Sequence, residues 1–177
     1  MAITVGNAVK VSIAIAALSV AGVFAASHLR RAAASGEDGL QAWFFDESEQ
    51  RLYTVPRDTL PPHAGVGGAA NDGVRAVVVA CRDACQDASA RRIAYLETYT
   101  PELKDSMEKI RAARARGDMD VGPGKFADKG AVIASTLVRR EGESTWHSMS
   151  SKEGNAIVTE WQSWACPDGR GLVVCTP

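Results

Sequence analysis

The sequence predicts an α+β fold: an N-terminal transmembrane helix, then a small domain with a mainly antiparallel sheet and two short helices. Three observations carry this expectation. Residues 11–27 contain no charged side chain, strand-like runs recur in hairpin pairs, and Thr100-Pro101-Glu102 has the form of a helix start. Residues 1–30 are therefore read as a membrane anchor, 31–41 as a linker, and 42–177 as an extracytoplasmic domain. A domain of that size can bury a core without help from metal or disulfides.

The uncharged stretch lies between Lys10 and Arg30 and, with its flanks, approaches the ~20 residues that cross a bilayer as a helix. A cleaved signal peptide is the alternative, since Val23-Phe24-Ala25 has the small-residue form of a cleavage site. The length of the apolar run and the Arg30-Arg31 flank favour the anchor. Ala17, Ala21 and Ala25 recur every four residues beside Gly22, a small-residue face that lets helices pack closely in lipid. Lys10 and Arg30-Arg31 balance across the segment, so charge alone does not orient it.

Orientation comes from the four cysteines, Cys81, Cys85, Cys166 and Cys175. Two close pairs point to disulfides and an oxidising compartment, here the periplasmic side of a bacterial inner membrane. The local pairings, Cys81 with Cys85 and Cys166 with Cys175, are expected because Pro167-Asp168-Gly169 turns the chain back. A four-thiolate zinc site is the rival, although the eight-residue gap of the second pair departs from zinc-ligand spacing. Cys-x-x-Cys, the spacing of a redox dithiol, does not occur.

In the domain, 42–46 and 51–55 read as a hairpin around a polar turn, and prolines and a Gly/Ala-rich loop at 65–73 follow. The continuous apolar run 74–80 reads as a buried central strand, and 93–98 as another, though its residues tolerate a helix. From Thr100 a helix runs through Leu103, Met107 and Ile110 to a stop at Gly117. A Gly/Pro/Asp loop spans 118–130. A second hairpin is expected from 131–139 and 144–149, and Ser150-x-x-Glu153 forms a capping box for the second helix. The tail from Cys166 is expected as a closed turn or short strand.

Net charge is −1, from 20 basic and 21 acidic residues, so no field draws the chain to nucleic acid. Gly122-Pro123-Gly124-Lys125 lacks the first glycine and the Ser/Thr of a phosphate loop, and Lys129 occupies the position where a calcium loop needs an acid. His28, His63 and His147 stand singly, without paired-ligand spacing. Neither catalytic residues nor a cofactor are expected. Trp43, Trp146, Trp161 and Trp164 are read first as core; Trp161 and Trp164 are also candidate partner contacts, should one of them be left uncovered.

At Trp43-Phe44-Phe45-Asp46, Leu52-Tyr53-Thr54-Val55-Pro56, Gly73-Val74-Arg75-Ala76 and Tyr95 through Glu102, the chain resembles a family of uncharacterised bacterial single-pass membrane-anchored proteins with a small C-terminal α+β domain. The similarity continues to Glu153-Gly154 and the closing cysteines. It implies the anchor-plus-domain plan and assigns no residue a role. Three functions follow as expectations: a non-catalytic accessory subunit that meets other membrane subunits and the bilayer; an extracytoplasmic module for a small ligand, peptide or envelope component; or a zinc or thiol-redox protein.

Overall fold

The computed structural model describes residues 39–118 and 129–177. The expected anchor with its face of Ala17, Ala21, Gly22 and Ala25, the linker up to residue 38, and most of the loop after the first helix lie outside the described residues.

The folded unit runs from Gln41 to Pro177. Strands β1 (Gln41–Asp46) and β2 (Arg51–Pro56) form the expected hairpin, with Phe45 opposite Leu52. Gln50 closes the turn at φ 51°, a left-handed position. Strand β3 (Gly73–Ala80) pairs along one edge with β4 (Arg92–Tyr99). Its other edge is shared, by β1 near Gly73 and by the short β7 (Val173–Val174) near Ala80. This central position explains the unbroken apolar run of β3. In β4, Ala94, Leu96 and Thr98 are buried in alternation, the period of a strand and not of a helix.

Helix α1 (Pro101–Ala115) starts as the sequence indicates: Thr100 Oγ1 accepts from the Leu103 N–H at 3.3 Å. At its end Gly117 adopts φ 87°. The Gly117 N–H donates to the Arg114 carbonyl and the Asp118 N–H to the Ala113 carbonyl, a Schellman closure.

The second hairpin is shorter than expected, because residues 129–135 are helical (α2, Lys129–Ser135) and only Thr136–Arg139 forms strand β5. Pairing explains the change. The β5 ladder along β4 ends where Thr136 faces Tyr99, since α1 begins two residues later. Upstream of Thr136 the backbone has no strand to pair with, and coiling satisfies its polar groups internally. Strand β6 (His147–Ser148) completes the order β2-β1-β3-β4-β5-β6, antiparallel throughout, with β7 on β3.

Helix α3 (Lys152–Glu160) is capped by Ser151, whose Oγ accepts from the Gly154 N–H at 2.9 Å. Ser150, the expected cap, instead shares a hydroxyl contact with Ser148 at 2.9 Å. Three α-helices are thus present among the described residues, one more than expected.

The main core joins Phe45, Val74, Ala76, Val78 and Leu96, with Cys175 from the tail. Trp43, Leu52, Ile93 and Trp146 pack against it. Ile157 of α3 is also buried. Alternation along β3 and β4 puts Arg75 and Glu97 on the opposite face, 3.6 Å apart. Burial pushes the Glu97 carboxyl up and the nearby Arg75 charge opposes that. The segment joining β2 to β3 is held by Arg75, which donates to the Thr59 carbonyl, and by Lys104 of α1, which donates to the Pro62 carbonyl. Its far end is tied to Asp46, which accepts from the Glu49 N–H at 2.8 Å, the Val66 N–H at 2.5 Å and Ser48 Oγ at 3.1 Å. These donors, the Glu49 amide first, hold the Asp46 pKa down at about 2 against the cost of burial. Asp46 therefore stays ionised at neutral pH and fixes the loop.

Candidate binding groove

The cysteines are all paired, but not locally. Cys81 bonds Cys166 with Cα atoms 5.8 Å apart, and Cys85 bonds Cys175 with Cα atoms 5.4 Å apart. The expected turn does form, since the Gly169 N–H donates to the Cys166 carbonyl at 2.8 Å. What overrides the local pairing is β7. By joining β3 at Val79 and Ala80 it lays the tail beside the cysteine-bearing end of β3, and the Cys175 N–H donates to Val78. Each tail cysteine then faces a cysteine of the segment after β3. No free thiol remains for a redox pair or a zinc-thiolate centre.

These crossed links fix both walls of a groove of about 590 Å³. One wall is the segment from Cys85 into β4, which carries Ala88, Arg91 and Arg92. The other includes Trp164, two residues before Cys166, held by its own N–H on the Trp161 carbonyl at 3.0 Å. The floor is apolar: Trp43, Phe45 and Leu52 from the β1–β2 hairpin and Ile93 from β4. Gln50 and Glu141 stand at the rim.

Two guanidinium groups lie on two indoles. The Arg91 guanidinium carbon is 4.7 Å from the Trp43 ring centre, and that of Arg92 is 4.0 Å from the Trp164 ring centre. A cation over an indole face is attracted by the ring quadrupole, and stacking also fixes the plane of the fork. The two arginines differ in what else they meet. Arg91 donates through Nε to the Cys85 carbonyl at 2.8 Å and reaches the Gln86 carbonyl at 3.4 Å, and its charge also acts on Asp87. The Arg92 side chain is exposed and has no hydrogen-bond or ion-pair partner among the described residues, only the indole. A planar guanidinium of this kind can pair with a carboxylate or phosphate in bidentate fashion.

A second cavity, about 610 Å³, lies between α3 and the β5–β6 connection and includes His147 and Glu153. Its cation is already neutralised, as Arg140 reaches Glu143 at 3.1 Å and Glu160 at 2.7 Å. For an anionic ligand the Trp–Arg groove is therefore the better equipped site. Among the described residues, no group of three or more His, Cys, Asp or Glu is placed to hold a metal.

Of the tryptophans, Trp43 and Trp146 pack on the core, Trp146 under the Arg139 guanidinium at 4.6 Å. Trp164 lines the groove and Trp161, at the end of α3, does not. Arg91 and Arg92 were not legible as site residues, because their indole partners lie 48 and 72 positions away in the chain.

Comparisons with protein families, curated proteins and solved structures find no match to this chain. Of the resemblance seen in the sequence, the structure carries the small α+β domain with its antiparallel sheet. Among the described residues, no helix is long and apolar enough to cross a membrane.

Proposed function

We propose that the chain is a non-catalytic accessory subunit of a bacterial inner-membrane complex. In this reading its N-terminal segment is the tether, the disulfide-linked domain lies on the periplasmic side, and the Trp–Arg groove contacts another subunit. One observation carries it: Arg92 stacks on Trp164 at the wall of a groove with apolar and charged lining, and meets no carboxylate of the described chain. Interface contacts are enriched in aromatic residues and arginine, which provide area and directional hydrogen bonds at low entropic cost. The crossed disulfides support an oxidising compartment. The uncharged stretch 11–27 between Lys10 and Arg30 supports the tether. A small-ligand module is the second reading, favoured by a volume of about 590 Å³ that falls in the range of ligand pockets.

Extraction of the intact chain in mild detergent tests the proposal. Wild type and the exposed control Lys109→Ala are expected to co-purify with the same subunits, while Arg92→Glu and Trp164→Ala lose them about tenfold or more. A partnerless monomer, or partner retention indifferent to the groove variants, contradicts it.

A further inference from the structure

We infer that the segment held in this groove is an acidic peptide with flanking apolar side chains, its carboxylate on the Arg92 fork. The inference rests on the docking reading above and adds the chemistry of what docks.

Charge complementarity carries the argument. The Trp164 ring covers a face of the Arg92 guanidinium, and no described side chain takes up its N–H donors, which a carboxylate accepts in bidentate fashion. Arg91 gives part of its donor set to the Cys85 and Gln86 carbonyls. It therefore steadies Trp43 and adds positive potential, and the direct contact falls to Arg92. Asp87 lies close enough to Arg91 to offset some of its charge, and Glu141 on the rim repels acid. Of the two arginines, Arg92 is thus the one left to pair with the carboxylate.

The floor selects among anions. Phe45, Leu52 and Ile93 give apolar side chains a place to bury area, and groups for sugar hydroxyls are confined to the exposed Gln50 and Glu141. A sugar ring packs on an indole face, and here one face of each indole is taken by a guanidinium. A bilayer surface cannot enter a concavity. An acidic segment carrying leucine-like side chains satisfies the fork and the floor together.

The test uses the full chain in nanodiscs of zwitterionic lipid and a fluorescent peptide of alternating Glu and Leu. The comparators are the same peptide with Gln or Lys for Glu, an oligogalacturonate, and phosphatidylglycerol vesicles. The Glu peptide is expected to bind about tenfold or more tightly than the Gln peptide, with Arg92→Gln removing most of that difference. Arg92→Lys, which keeps charge without the planar fork, should recover only part of it. Glu141→Gln should tighten binding, and added salt should weaken it. Near-UV circular dichroism checks that each variant is folded.

Equal binding of Glu and Gln peptides by wild type overturns the inference. So does stronger Arg92-dependent binding of the oligogalacturonate or the vesicles. If Arg92→Glu still loses its co-purifying subunit while no acidic peptide binds, the ligand chemistry fails and the docking reading stands. If the Glu peptide binds through Arg92 but subunit retention ignores Arg92, the docking reading fails alone.

Discussion

Alanine at all four cysteines is expected to lower the melting temperature by about 20 °C and to free the C-terminal tail. The crossed pairing sets this magnitude. The first bond to form in the unfolded chain closes a long loop, with its cysteines 85 or 90 residues apart. On the chain-entropy account that is worth about 4.5 kcal/mol. The second then closes only a ring of roughly 15 residues, through the short stretches Cys81 to Cys85 and Cys166 to Cys175, and adds about 3 kcal/mol. Removing either pair alone should therefore cost about 3 kcal/mol, and removing both should cost more than the two single losses together. A total of about 7.5 kcal/mol rivals the whole stability of an ordinary domain. Thermal unfolding of the three variants checks this. A quadruple variant that melts within a few degrees of the parent contradicts it, as does a peptide map linking Cys81 to Cys85.

Gly154→Ala is the second large effect, and its sign opposes helix propensity. Alanine in a helix is worth up to about 1 kcal/mol over glycine, so an exposed site would gain stability. Gly154, however, packs the first turn of α3 directly on β6: a methyl there would overlap the Ser148 carbonyl and press on Met149 Cα. Main-chain atoms cannot rotate aside as a side chain does, and overpacking of this kind costs about 3 kcal/mol. The net loss expected is about 2 kcal/mol, read as a melting temperature roughly 6 °C lower. Gly171→Ala serves as the control, since a methyl there meets open space and stability should hardly change. A Gly154→Ala protein as stable as its parent would refute the close approach of α3 to β6.

The elements whose determinants are local were legible in the sequence. The β1–β2 hairpin, the continuous apolar run of β3 and the Thr100-to-Gly117 helix signals all appear within a few residues of the structures they make. Where partners are distant, sequence reading departed from the fold. Val132 and Ile133 resemble a strand, yet β4 has no edge left to receive them and they coil. Ser150 and Ser151 are equivalent as caps until the Ser148 hydroxyl engages Ser150. Cys175 is near Cys166 in sequence, but two residues of β7 joining β3 carry it to Cys85. The groove has the same origin. Trp164 is, with Trp161, a candidate partner contact from the sequence, whereas the arginine that covers it belongs to a distant strand, β4.

The central claim is that the Trp–Arg groove touches another protein. A photo-crosslinking amino acid at position 88, an exposed alanine that lines the groove, compared with one at the exposed position 109 on α1, measures this directly. The account predicts an adduct of defined mass from 88, diminished by Arg92→Glu, and none from 109. No adduct from 88, or equal adducts from both positions, would contradict it.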